Sequence, residues 1–210
     1  MFQQTHLNLG EPLSPGDLST VADPHGIVLF AHADGSAHTG RRSVQAAKRF
    51  HSLKFCTLLF DLLTPDEATQ SLKHDDIDLL SKRLLQAIEC LPAAMQKLPL
   101  GLFGTDTGAA AALVAAAQRP QSVAAVVSRS GRLDKASSVL GDVRAPTLLI
   151  VGGADVQVVF ENRQAFGRLR SEKRIDVIPR ATRLFLEAGA LDSTVQRAAE
   201  WFEAHLRPAG

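Results

Sequence analysis

The sequence predicts an α/β protein with a mostly parallel, doubly wound sheet flanked by helices. Three observations carry this prediction. From residue 26 onward, short apolar runs alternate with longer segments of helical period. Six of those runs are almost continuously hydrophobic, as strands covered on both faces must be. No long polar linker and no internal repeat interrupts the alternation across the 210 residues, so one domain spanning 1–210 is expected, with no room for a large lid.

The strands, in order, are 26–32 (GIVLFAH), 55–60 (FCTLLF), 98–103 (LPLGLF), 123–128 (VAAVVS), 147–151 (TLLIV) and 174–178 (RIDVI). Helices are expected over 43–51, 75–91, 107–118, 160–169 and 190–206, each with an apolar stripe toward the sheet. In the last, Leu191, Val195, Ala198, Phe202 and His205 recur every three or four residues, and Pro208 and Gly210 come next as stop signals. The alanine-rich stretch 109–117 reads as a slim helix pressed against the sheet. His74-Asp75-Asp76 opens a helix where acidic side chains complement the positive end of the dipole, so capping is preferred over metal binding. Before residue 26 the pattern is weaker. His6-Leu7-Asn8-Leu9 suggests one antiparallel strand, and Pro12, Pro15 and Gly16 mark turns.

Composition narrows the function classes. Lys plus Arg number 23 against 22 Asp plus Glu, a net charge of +1, which gives no global field toward nucleic acid or lipid. Neither nucleic acid nor membrane is therefore expected as a partner, whereas a small-molecule ligand is compatible. Cys56 and Cys90 form no C-x-x-C pattern and read as free thiols in a reducing compartment. The amino terminus lacks the basic start and apolar core of a leader, and a cytoplasmic location is expected. Neither a P-loop, nor G-x-G-x-x-G, nor H-E-x-x-H, nor an EF-hand loop occurs, so no cofactor and no metal is expected. Arg41-Arg42, at a helix start, is read as solvated rather than as a phosphate site.

The most informative segment runs from the third clear strand into the alanine-rich helix as Gly104-Thr105-Asp106-Thr107-Gly108. Glycines two positions either side of a central residue let a strand and the helix after it approach closely around one strained turn, which is the form of a nucleophile elbow. Asp106 occupies the centre, and aspartate tolerates positive φ better than most non-glycine residues.

Together with 26–32, 58–64, 127–132, 145–153 and 183–187, this elbow resembles the α/β-hydrolase superfamily, and specifically its dienelactone-hydrolase-like family, over residues 25–206. The resemblance implies an α/β-hydrolase fold with serine or cysteine at the elbow, an acid after a later strand and a histidine near the carboxyl end. It places Asp106 at the nucleophile position, Asp155 at the acid and Arg183 at the histidine, and it puts the oxyanion-binding N–H groups on Asp34 and Thr107. The Asp34 carboxylate adds negative charge there. An arginine is protonated at every accessible pH and takes no proton from water, so hydrolytic turnover is expected to stall. An Asp106–Arg183–Asp155 charge cluster is expected instead, with a ligand-binding or interaction role. The alternative is an active hydrolase of ester, lactone or carbon–halogen bonds using Asp106 as nucleophile or acid/base group. In that case His32 or His38 is the candidate replacement base, although both are read first as structural.

Overall fold

The computed structural model describes residues 2–33 and 40–206. The chain forms β1 (Gln3–Leu7), β2 (Gly16–Thr20), β3 (Gly26–His32), α1 (Arg41–Ser52), β4 (Phe55–Asp61), the short α2 (Pro65–Ala68) and α3 (Ser71–His74), and α4 (Ile77–Glu89). Next come the short α5 (Ala93–Gln96), β5 (Leu100–Thr105), α6 (Thr107–Gln118), β6 (Val123–Arg129), β7 (Thr147–Gly152), α7 (Val156–Arg168), β8 (Lys173–Ile178) and α8 (Ala190–His205). The eight strands make one sheet in the order β1-β2-β4-β3-β5-β6-β7-β8. From β4 to β8 all neighbours are parallel, whereas β1–β2 and β2–β4 are antiparallel. All six strands expected from the apolar runs are present.

The amino-terminal expectation needs correction. Two antiparallel strands stand where one is expected, because Gly16–Thr20 alternates polar and apolar residues too briefly for its pattern to register. The turn signals at Pro15 and Gly16 are in fact the threshold of that strand.

Two apolar cores flank the sheet. On one face, α1 and α8 pack Phe50, Trp201 and Phe202 against Phe30, Phe103 and Phe55. On the other, α4, α6 and α7 bury Leu80, Leu84, Leu113 and Ala165 against Leu29, Leu58, Leu102 and Leu149. Every residue of α6 from Thr107 to Ala116 is buried, which explains its alanines: small side chains let a fully covered helix lie close to the strands. No helix among the described residues is long and apolar enough to cross a membrane.

Helices start at their caps. Asp76 accepts from Leu79 N at 3.0 Å and begins α4, so the acidic cluster at that position does cap a helix. Asp155 accepts from Val158 N at 3.3 Å and begins α7 at Val156, four residues earlier than the apolar stripe alone implies.

Candidate active site at the carboxyl edge of the sheet

The parallel strands end together, and the site is built from the turns and loops just beyond their carboxyl ends. Thr105 lies beside Arg129 in the register of β5 and β6, so Asp106 and Ser130 are the next residues out on adjacent strands. Both carry left-handed backbone, with φ of 51° at Asp106 and 45° at Ser130. Such values are costly for non-glycine residues and persist only where the surroundings enforce them. At Asp106 they do so fully: its N–H donates to Arg129 O at 3.4 Å, and its carbonyl accepts from Ala109 N at 3.2 Å and Arg132 N at 3.1 Å. The flanking glycines are obligatory for this turn. A Cβ on Gly104 would overlap the backbone at Ala109 Cα, and one on Gly108 would overlap Ala31 O.

Asp106 opens on a cavity of about 230 Å³, also lined by Arg42, His74, Thr107, Arg129, Ser130, Arg183 and Leu184. Arg183 Nη2 lies 3.1 Å from Asp106 Oδ1. This contact joins opposite charges at close range, but its angles are not those of a hydrogen bond, and Oδ1 is a buried atom without a hydrogen-bond partner among the described residues. The loop carrying Arg183 is anchored by the buried Ala181 and Phe185, and the Glu187 carboxylate accepts from Thr182 N at 3.1 Å. Hydrogen bonding from the Thr182 side chain, joined by backbone N–H groups, holds the Glu187 carboxyl below the usual carboxylate range.

Asp155 does not complete the expected three-membered cluster. Its carboxylate is turned to the first turn of α7 as a cap, and among the described residues it has no ion pair with Arg183. A helix start already supplies partial positive charge to a capping carboxylate, so Asp155 needs no guanidinium. Thr107, assigned to oxyanion binding, is the first residue of α6, where a backbone N–H has no acceptor within its own helix. Asp34, its assigned companion, and His38 lie outside the described residues. His32 is buried beneath the site with Nε2 3.3 Å from Ser43 Oγ and its ring stacked on Phe30.

Two further lining residues, His74 and Ser130, are not among the site residues the sequence predicts. His74 ends α3, and its Nε2 lies 2.8 Å from Ala68 O. A carbonyl only accepts, so Nε2 carries a hydrogen, and the tautomer this selects is the one whose lone pair is on Nδ1. Among the described residues no three His, Cys, Asp or Glu side chains are grouped to hold a metal. Cys56 and Cys90 are free thiols.

A strained residue on a sharp strand-to-helix turn at the carboxyl edge of this sheet defines the α/β-hydrolase fold. A dienelactone hydrolase from Anabaena variabilis is 44% identical, with 99% of each chain covered and a TM-score of 0.91. The chain belongs to the dienelactone hydrolase family. A dienelactone hydrolase-like promiscuous phosphotriesterase from metagenomic libraries shares the fold at 16% identity, with 98% of each chain covered and a TM-score of 0.77. Two curated proteins from strains of Mycobacterium tuberculosis, named provisionally as phosphoribosyl transferases, are 45% identical over 193 residues. The match covers 91% of this chain but spans only 44% of the length of those relatives. No family model matches the sequence.

Proposed function

We propose that the chain binds a small organic anion at Asp106 without hydrolysing it. The observation that carries this reading is the Arg183 guanidinium 3.1 Å from the Asp106 carboxylate. An arginine facing the elbow residue neutralises it and supplies no base, whereas ester hydrolysis requires a group that takes a proton from water. The lining sets the ligand's charge: among the described residues of the cavity, the Arg42 and Arg183 guanidinium groups stand beside the Asp106 carboxylate, a cationic excess. The volume of about 230 Å³ sets its size, below that of sites for drug-sized molecules. The name of the mycobacterial relatives belongs to chains of which this one spans 44%, and transferase activity is not carried over from it.

One observation favours a second reading. His74 lines the same cavity with a lone pair on Nδ1. In an active enzyme, an Asp106 oxygen would attack an alkyl carbon and expel the leaving group. Water would then add to the resulting ester carbonyl, its proton passing by way of His74 to the departing alkoxide as the acyl C–O bond breaks, which releases the alcohol and regenerates the Asp106 carboxylate.

Comparing the native protein with Asp106→Ser/Arg183→His on aryl esters and lactones tests the proposal. The native protein is expected to be silent and the double variant to hydrolyse esters. Native turnover abolished by Asp106→Ala would contradict it.

A further inference from the structure

The carbonyl of Asp106 is held from outside the elbow by the peptide that joins Gly131 to Arg132. Its N–H, on Arg132, donates to Asp106 O at 3.1 Å, and its carbonyl, on Gly131, accepts from Asn162 Nδ2 at 2.9 Å. A trans peptide is planar, with its C=O and N–H pointing in opposite directions, so whatever fixes the carbonyl also aims the N–H. Asn162 and Asp106 thus grip the two ends of one rigid plate. The chain enters this turn from a fixed point as well, since Ser130 N donates to Ile150 O of β7 at 2.8 Å.

Packing does not account for an asparagine at position 162. The residue lies on α7 with no exposed surface, and its Oδ1 is buried without a hydrogen-bond partner among the described residues. An unpaired amide oxygen in the interior costs free energy that an apolar side chain in the same space would not incur. The two N–H donors do account for it. One side-chain N–H goes to Val158 O, one turn back in α7, at 2.9 Å, which sets the amide against its own helix, and the other goes to Gly131 O. Asp155 caps that helix at Val158 N, so Asp155 is linked to Asp106 by way of Val158, Asn162 and the Gly131–Arg132 peptide.

We infer that Asn162 is a positioning residue of the site: through the Gly131–Arg132 peptide it holds Asp106 in the strained backbone that keeps its carboxylate opposite Arg183. This goes beyond the anion-binding reading, because Asp106 is the residue held whether it binds a ligand or attacks one. Without the amide the peptide tilts toward another donor, Asp106 O loses Arg132 N, and the φ of 51° is free to relax.

Amide hydrogen exchange and calorimetric titration with methanesulfonate, a small organic anion of fixed charge, test the inference on the full chain. Asn162→Ala removes the donors and favours the helix, so α7 still forms. Exchange at the Arg132 N–H is expected to accelerate at least about tenfold, and methanesulfonate affinity to fall at least about tenfold, while the Val126 N–H of β6, bonded to Pro146 O, stays as protected as in the native protein. A void that merely loosened the core would move both amides together. Asn162→Asp keeps the size of the side chain, but a carboxyl buried against two carbonyl oxygens donates only while protonated. Its Arg132 protection and its affinity, each taken as a ratio to the native protein to cancel the titration of His74 and the other groups of the site, are expected to be higher at about pH 5 than at about pH 8. Native-like protection at Arg132 in Asn162→Ala, equal loss at both amides, loss of protection without loss of affinity, or equal ratios at the two pH values would overturn the inference. Failure of methanesulfonate to bind the native protein would overturn the anion-binding reading alone, and the exchange results would still decide the role of Asn162.

Discussion

At the scale of single residues, the site is decided by what cannot be substituted as much as by what is charged. Gly108 has its missing Cβ aimed at the backbone oxygen of Ala31, well inside contact distance, and no rotamer change relieves that overlap. Gly108→Ala is therefore expected to destabilise the protein by at least about 3 kcal/mol, measured by denaturant unfolding, whereas a cost below about 1 kcal/mol would mean the elbow is not held as described. These glycines are legible in the sequence because the elbow is local: strand, turn and helix lie within one short segment, and the backbone demands small residues at fixed spacing. Asp106 is legible for the same reason. Ser130 and His74 are not, since one reaches the cavity from the end of β6 and the other from the end of α3, and nothing in a run of residues reveals which distant segments converge. A serine directly after a buried strand, as in Val127-Ser128-Arg129-Ser130, is the one signal the sequence offers for Ser130.

At the scale of elements, polar side chains fix where helices begin and how they attach. Thr64 and Glu67 form a reciprocal capping box at the start of α2. Glu67 is also clasped by Arg83 of α4, with Arg83 Nη2 donating to Oε1 at 2.8 Å, while Arg83 Nη1 donates to Leu62 O at 2.8 Å. One arginine thus ties α4, α2 and the end of β4, the segment leading to His74. Hydrogen bonding to Arg83 holds the Glu67 carboxyl down to about 2 from its ordinary 4.5. A pKa depressed by folding contributes stability above the unfolded value and loses it as pH falls through the folded one, here between about 4.5 and about 2. Glu67→Gln is therefore expected to lower stability at neutral pH and to flatten its loss across that acid window, as read from unfolding curves taken along a pH series. An unchanged acid profile in the variant would show that the pair does not couple to folding. Sequence periodicity misses such attachments, and Asp155 illustrates the same limit. Its place after β7 marks it as an acid rather than a cap, so the apolar stripe alone starts the helix at 160 instead of at Val156.

At the scale of the whole molecule, the fold is legible because burial on both faces writes long apolar runs into the central strands, while the antiparallel edge is only half legible, because β1 is largely exposed and β2 is too short for its alternation to register. The sheet delivers Asp106, Ser130 and the Arg183 loop to one edge, and the function depends on whether that edge is a catalyst or a receptor. As a receptor, Asp106 holds a ligand and forms no bond to it. Mass spectrometry of the Asp106 peptide, after incubation of the native protein with esters, lactones and haloalkanes in water enriched in heavy oxygen, tests this directly. An ester formed at Asp106 and then hydrolysed would leave heavy oxygen in its carboxylate. The expected result is a peptide of unchanged mass, and heavy oxygen appearing at Asp106 would contradict the receptor role.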